Sequence, residues 1–100
     1  MIDLSGKSAI VTGGASGIGE QTVRKLADLG ARVTIADVDE DKGASLAAEL
    51  SGADKGILFV RTDILKEADI AALSKHVADQ FGGIDIVVNS AGIPRTIAPD

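Results

Sequence analysis

A glycine-rich segment near the N-terminus has residue types and spacing suited to binding a phosphate. The segment TGGASGIG, residues 12–19, follows a short apolar run and precedes a segment with helical spacing. Glycines let backbone N–H groups approach a diphosphate without interference from a Cβ atom, and the start of a helix attracts negative charge. Gly13, Gly17 and Gly19 therefore predict a diphosphate site, with Gly19 allowing close packing against the strand. A glycine turn without a ligand is the alternative.

A carboxylate stands where the second apolar run of the sequence ends. Asp37 lies roughly 20 residues after the glycine segment, where a carboxylate can accept hydrogen bonds from the hydroxyls of an adenosine ribose. It would repel a phosphate on that ribose by on the order of 4 kcal/mol, taking two unit charges about 4 Å apart at an effective dielectric near 20. Asp37 therefore predicts NAD rather than NADP. Its alternative role is a helix cap, although Asp39 lies closer to the next helix start.

The third and fourth apolar runs also end in residues suited to a nucleotide site. Asp63 follows the third run and, with Ile64, could contact an adenine, with an ordinary helix cap as the alternative. Asn89 ends the fourth run and could brace two strand ends through its amide. The small residues Ala91 and Gly92 leave room for a ribose, although a simple turn after the strand is also compatible with them.

Two other patterns predict no additional site. The segment 37–48 is rich in acidic residues, but an EF-hand loop needs Gly at its sixth position and Glu at its twelfth, where this sequence has Lys42 and Ala48. His76 is the only histidine, and no carboxylate or nucleophile is evidently paired with it, so we expect a solvated or packed helical position. We therefore predict no metal site.

These residues can meet only if a parallel sheet brings the strand ends to one edge. Nearly continuous apolar strands are typical of a parallel sheet with helices on both faces, and the sequence alternates such runs with helical segments. Right-handed crossovers give the strand order 3-2-1-4, with a ligand-binding switch point between strands one and four. We predict a doubly wound α/β fold. The predicted strands are 8–12, 32–36, 57–60 and 84–88, and the predicted helices are 18–29, 40–50 and 67–81.

Helical spacing also predicts which residues of two helices face the core. The first helix is expected to place near one face Ile18, Val23, Leu26 and Leu29. The third helix is expected to use Ile70, Leu73, Val77 and Phe81. Strand four lacks an outer neighbour in this chain, so its apolar residues 86–88 are expected to be incompletely buried.

Composition limits the class of protein. The 100 residues, with 45% hydrophobic and 25% charged side chains, predict one folded domain at most, and we assign 1–100 as the dinucleotide-binding portion of a single domain. A net charge of -5 without a basic cluster argues against nucleic acid as a partner. The apolar runs are only as long as strands, which argues against a membrane span, and the absence of cysteine indicates a reducing, cytoplasmic location.

Taken together, the pattern T-G-x-x-x-G-x-G, Asp37, Asp63 and the tetrapeptide 89–92 closely resemble the N-terminal part of the short-chain dehydrogenase/reductase family. The resemblance spans essentially the whole chain, with a mild departure at Ser90, where the family usually has Asn. It implies a Rossmann-type fold that binds a nicotinamide dinucleotide. The residues implied in contacts with its phosphates, riboses and adenine are Ser16, the backbone of Ile18, Asp37, Asp63, Ile64, Ser90, Ala91 and Gly92.

The resemblance also bears on the choice of cofactor and on catalysis. Relatives that prefer NADP often carry a basic residue where this chain has Ala15, Ser16 and Val38, which agrees with NAD. The family uses a Tyr as general acid/base, a Lys that lowers the pKa of that Tyr, and a Ser that binds the substrate oxygen. These groups are expected beyond strand four, and the chain contains no Tyr, so we assign no catalytic residue and expect the catalytic half to be missing.

The resemblance implies an NAD-dependent oxidoreductase that moves hydride between nicotinamide and a secondary alcohol or ketone, acting on a small molecule as a homotetramer or homodimer. Residues 91–100 look somewhat like the 3-hydroxyacyl-CoA dehydrogenase type II branch, whose members also oxidise hydroxysteroids. A 3-oxoacyl-carrier-protein or a polyol is an alternative substrate. Two competing hypotheses are a redox-sensing module without turnover and a fragment unable to bind tightly.

Overall fold

Strands and helices alternate along residues 2–52 and 56–90, the parts of the chain that the computed structural model describes. The strands are β1 (Ser8–Thr12), β2 (Arg32–Asp37), β3 (Ile57–Arg61) and β4 (Ile86–Asn89). The helices are α1 (Gly17–Asp28), α2 (Glu40–Leu50) and α3 (Glu67–Phe81). The βαβαβαβ order confirms the one predicted from the sequence.

The four strands form one parallel sheet in the order β3-β2-β1-β4. In the centre of the sheet Val11 of β1 pairs with Ile35 on one side and with Val88 on the other. The chain therefore reverses its direction of travel across the sheet after β3, which creates a switch point between β1 and β4. The predicted doubly wound, Rossmann-type sheet is confirmed.

Alternate residues of the central strands face two separate cores. On one face Val11, Val33 and Ile35 pack with α1 and α2, and on the other Ile10 and Ala36 pack with α3. Because successive side chains of a strand point to opposite faces, both faces of the sheet are covered by helices. This two-sided burial explains why the strands read as continuous apolar runs.

Some element ends differ from the predicted bounds. Strand β4 begins at Ile86, two residues later than predicted, because Asp85 is instead engaged with Ser8 at the start of β1. The backbone N–H of Asp85 donates to the Ser8 carbonyl (2.8 Å), and its carboxylate accepts from the Ser8 N–H (2.9 Å). Strands β2 and β3 each end one residue later than predicted, where Asp37 and Arg61 pair.

Two predicted core residues lie at the surface. Ile18 is 79% exposed because it stands in the first turn of α1, which buries Val23 and Ala27 further along the helix. Ile70 is 42% exposed, whereas Leu73 one turn later is buried against the sheet. Helical periodicity identified the correct face of each helix but not how far along the helix that face is covered.

Strand β4 is the less covered edge of the sheet. Val87 is 64% exposed, and its neighbours Ile86 and Val88 are half-buried. The expectation of incomplete burial in this strand is therefore confirmed. Val87 borders a cavity of about 210 Å³ that also reaches Ile70 and Ile84, so apolar surface is continuous at this edge.

The buried hydroxyl of Thr34 allows the packing between the sheet and α3 to be tested. This hydroxyl finds no hydrogen-bond partner within residues 2–52 and 56–90, and an unpaired buried hydroxyl costs about 1–3 kcal/mol. We expect Thr34→Val to raise the free energy of unfolding by about 1 kcal/mol, measured by urea denaturation. The matched control is Thr62→Val, since the buried Thr62 hydroxyl donates to the Val60 carbonyl (3.0 Å), and its removal should destabilise the fold. Equal effects of the two substitutions would contradict this assignment.

Candidate functional site

The C-terminal ends of all four strands meet at one edge of the sheet and bring the predicted site residues together. The glycine loop follows β1, Asp37 ends β2, Asp63 lies two residues beyond β3, and Asn89 ends β4. Hydrogen bonds connect each strand end to its neighbour, as described below. Of the predicted residues, Ala91 and Gly92 lie outside the part that the structure describes.

The glycine loop has the backbone conformation that its composition predicts. Gly13 and Gly17 have φ angles of 67° and 59°, in the left-handed region that favours glycine. Ser16 is the N-cap residue of α1, with an extended backbone and no side-chain cap hydrogen bond. The first turn of α1 therefore has N–H groups that its own cap does not satisfy, which suits an anionic ligand.

Gly19 brings the start of α1 into close contact with the loop. A Cβ atom at this position would lie 1.9 Å from the Gly13 carbonyl oxygen and 2.8 Å from the Ser90 hydroxyl oxygen. The close approach is therefore to the loop at the end of β1 and to the residue after β4, rather than to the body of the strand. Because Gly19 has no side chain, the start of α1 can lie directly against the switch point between β1 and β4.

Asp37 connects the end of β2 to the glycine loop. Its carboxylate accepts hydrogen bonds from the backbone N–H of Ala15 (3.1 Å) and from that of Asp39 (2.9 Å). Asp39 is the N-cap of α2, because its own carboxylate accepts from the Lys42 N–H (3.0 Å). The alternative role of Asp37 as the helix cap is therefore filled by Asp39, and Asp37 stands half-exposed at the sheet edge. The contact with Ala15 was not predicted, because backbone donors leave no sequence signal.

Asp63 forms a turn between β3 and α3. One of its carboxylate oxygens accepts from the Leu65 N–H (3.0 Å), and its carbonyl accepts from the Lys66 N–H (3.0 Å). Lys66 is the N-cap of α3, so Asp63 does not cap this helix, which was the alternative role considered for it. Ile64 is half-buried in this turn and Leu65 is 76% exposed, so apolar surface lies beside the carboxylate.

The ends of β1 and β4 are joined through side chains, as predicted for Asn89. The Thr12 hydroxyl donates to the Asn89 side-chain carbonyl (2.8 Å). Ser90 donates to the Thr12 carbonyl from both its hydroxyl (2.6 Å) and its backbone N–H (3.1 Å). Ser90 thus binds the end of β1 through both its side chain and its backbone. Thr12 opens the glycine segment, but the contact of its hydroxyl with Asn89 was not predicted, since a threonine at a strand end is common in any sheet.

A groove of about 400 Å³ between α1 and α2 extends from the glycine loop, and Ser16 and Arg24 line part of it. The Arg24 guanidinium contacts Glu20 (2.9 Å) and Glu49 (2.6 Å). These two hydrogen-bonded carboxylates raise the pKa of Arg24, and the Arg24 guanidinium lowers the pKa of Glu49. Arg24 is therefore already engaged by two anions.

Two other kinds of site have no counterpart in residues 2–52 and 56–90. No group of three or more His, Cys, Asp or Glu side chains in these ranges is placed to hold a metal ion. None of the helices there combines the length and hydrophobicity needed to cross a bilayer. His76 is exposed on α3, between buried Leu73 and Val77.

The sheet order, the glycine loop at the switch point and the carboxylate at the end of β2 together define a Rossmann-type α/β domain. A family model described as short chain dehydrogenase matches residues 7–99. The chain therefore belongs to the short-chain dehydrogenase family.

Known relatives agree with this assignment. The chain is 47% identical over 90 residues to momilactone A synthase of Oryza sativa subsp. japonica, covering 90% of this chain and 32% of the relative. It is 44% identical over 99 residues to 2,5-dichloro-2,5-cyclohexadiene-1,4-diol dehydrogenase of Sphingobium indicum, covering 99% of this chain and 38% of the relative. The chain thus spans about a third of the length of these curated relatives.

A solved structure confirms the fold. The crystal structure of a short chain dehydrogenase from Bacillus anthracis superposes with a TM-score of 0.84 at 32% identity. The superposition covers 89% of this chain and 36% of the other chain. The predicted family and its N-terminal position in the family fold are both confirmed.

The close approach at Gly19 generates a prediction. Gly19→Ala should destabilise the protein by about 1–3 kcal/mol, because the new methyl group would overlap the Gly13 carbonyl and force the loop to move. Gly83→Ala is the matched control, since a Cβ there meets no atom within 4 Å. Urea denaturation of both variants measures the difference. Equal stability of the two variants would contradict the close packing of α1 on the loop.

Proposed function

We propose that this chain is the NAD-binding part of an oxidoreductase that transfers hydride between nicotinamide and a secondary alcohol or ketone. The observation that carries the proposal is the position of the Asp37 carboxylate, half-exposed at the end of β2 and hydrogen-bonded to the glycine loop. A carboxylate in this position suits the hydroxyls of an adenosine ribose next to a diphosphate held at a helix start.

The residues present fit a dinucleotide. The N-terminal turn of α1 offers backbone donors for the diphosphate through Ser16, Gly17 and Ile18, and the bare backbone at Gly19 keeps that turn close to the switch point. Asp63 and Ile64 lie beside the end of β3, where the adenine would extend. In the proposed site Asn89 and Ser90 hold the end of β4 against β1 beside the second ribose.

The charges at the edge favour NAD over NADP. Asp37 would repel a phosphate on the adenosine ribose, as argued above. Arg24, in the groove beside Ser16, is paired with Glu20 and Glu49, so two carboxylates already offset its charge. When bound, the nicotinamide ring accepts or donates the hydride, and the residues of this chain bind and orient the cofactor.

We base the proposed substrate class and oligomeric state on the family to which the chain belongs. The name of the Sphingobium indicum relative describes the dehydrogenation of a diol. We propose a hydroxyl-bearing small molecule as substrate, with 3-hydroxyacyl-CoA and hydroxysteroids as the first compounds to test and 3-oxoacyl-carrier-protein and polyols as alternatives. The catalytic Tyr, Lys and Ser are proposed to lie outside these 100 residues, and the complete protein is proposed to be a cytoplasmic homo-oligomer.

The cofactor preference can be tested at Asp37. We expect the complete protein to bind NADH more tightly than NADPH in a fluorescence titration. Asp37→Asn keeps one oxygen to accept from the Ala15 N–H, loses the acceptor for the Asp39 N–H and removes the negative charge, so the preference for NADH should shrink and the stability should fall by about 1 kcal/mol. Asp37→Ala also removes the acceptor and should weaken NADH binding about tenfold or more.

Glu40→Gln is the matched control, because it removes an exposed carboxylate from the first turn of α2. This variant should keep the affinity and the preference of the parent protein. Tighter binding of NADPH than of NADH by the parent would refute the proposed role of Asp37. Unchanged preference in Asp37→Asn would show that the carboxylate charge is not its cause.

Turnover separates an oxidoreductase from a redox-sensing module. The complete protein is expected to reduce NAD in the presence of a secondary alcohol, monitored by NADH absorbance with hydroxyacyl-CoA, hydroxysteroid and polyol substrates. A complete protein that binds NADH but whose sequence lacks a Ser and a Tyr-x-x-x-Lys pair would contradict the enzyme hypothesis and favour the sensor.

A further inference from the structure

Asp69, which lies outside the candidate site described above, contacts the turn formed by residues 63–66, here called the Asp63 turn. It lies in the first turn of α3, and its carboxylate accepts a hydrogen bond from the backbone N–H of Asp63 (2.9 Å). The same carboxylate oxygen lies 4.0 Å from the Arg61 guanidinium, and the Asp69 side chain is 29% exposed. Asp69 therefore reaches back from the helix to the end of β3.

The Asp63 turn has few other attachments to the sheet. Hydrogen bonding between strands ends one residue earlier, where the Thr62 N–H donates to the Asp37 carbonyl (3.0 Å). The Asp63 carboxylate bonds within its own turn to the Leu65 N–H, and the N-cap Lys66 makes no side-chain cap hydrogen bond. Among residues 2–52 and 56–90, Asp69 thus supplies the side-chain contact that fixes the Asp63 backbone.

The chemistry of this contact suits it to holding the Asp63 backbone in place. A hydrogen bond to an ionised carboxylate is shorter and stronger than one between neutral groups. A carboxylate in the first turn of a helix also interacts favourably with the helix dipole. The contact joins residues 63 and 69, so it spans the whole connection between β3 and α3.

We propose that Asp69 is a positioning residue for the adenine end of the cofactor site. It holds Asp63 and Ile64 where they meet the adenine and does not itself touch the cofactor. This inference rests on the proposed function, because it takes the Asp63 turn as the adenine contact. Without the anchor the turn must be ordered on binding, and the lost affinity should be confined to the adenine-bearing half of the dinucleotide.

The experiment compares three variants of the complete protein with the parent. Asp69→Ala removes the acceptor, and Asp69→Asn retains a side-chain oxygen that can accept from the Asp63 N–H. Glu67→Ala is the matched control, because it removes an acidic side chain from the same helical turn. Calorimetry with 5′-AMP reports the adenine-bearing half alone, steady-state kinetics with NAD separate KM from kcat, and circular dichroism melts report folding.

We expect Asp69→Ala to raise the dissociation constant of AMP and the KM for NAD about five- to tenfold, with kcat changed by less than about twofold. Glu67→Ala should remain within about twofold of the parent for AMP, and Asp69→Asn, whose neutral oxygen accepts a weaker hydrogen bond, should lie between the parent and Asp69→Ala. A parent-like AMP affinity in Asp69→Ala would overturn the inference. Equal losses in Asp69→Asn and Asp69→Ala would also overturn it, since the acceptor would then not matter.

A different result would identify a failure of the proposed function itself. If the parent protein binds neither AMP nor NADH, the nucleotide site is wrong and the role of Asp69 falls with it. If the parent binds both and Asp69→Ala binds AMP as the parent does, the cofactor site stands and only the positioning role is wrong.

Discussion

The hydrogen bond from the Ala15 N–H to the Asp37 carboxylate joins the two parts of the edge on which the proposed site depends. The glycine loop belongs to β1 and α1, whereas Asp37 belongs to β2, and the bond joins the two together with the backbone bond from the Gly13 N–H to the Ala36 carbonyl (2.7 Å). The other carboxylate oxygen accepts from Asp39, which in turn caps α2. One side chain thus sets the position of a loop, a strand end and the approach to a helix.

Further hydrogen bonds extend this arrangement across the whole sheet edge. The Thr62 N–H joins the end of β3 to Asp37. On the opposite side of β1, the hydroxyls of Thr12 and Ser90 join the ends of β1 and β4. Because these contacts follow the strand order β3-β2-β1-β4, the edge is held as one surface before any ligand binds. A surface fixed in advance loses less conformational freedom on binding.

Local sequence patterns predicted the elements well, because each strand and helix here has a consistent pattern along its length. The strand order also followed from the sequence, since parallel strands with right-handed crossovers leave few arrangements. Burial at the ends of elements was predicted less well. Ile18 and Ile70 fit the helical period, but each lies in a part of its helix that does not pack against the sheet. Which part of a helix packs against the sheet depends on tertiary structure.

The chemistry-bearing residues of the edge were found because their types and positions are distinctive, as at Asp37 and Asn89. Their partners were not found, because Ala15 and Thr62 contribute backbone N–H groups that any residue possesses. Asp69 was missed for a different reason. An acidic residue in the first turn of a helix is common, and only the structure shows that it reaches back to Asp63.

The most direct test of the account is a crystal structure of the complete protein with NAD bound. The account predicts that both hydroxyls of the adenosine ribose lie within hydrogen-bond distance of the Asp37 carboxylate, with the diphosphate over the start of α1 at Ser16 to Gly19. A dinucleotide bound away from this edge, or with its adenosine ribose out of reach of Asp37, would contradict the central claim.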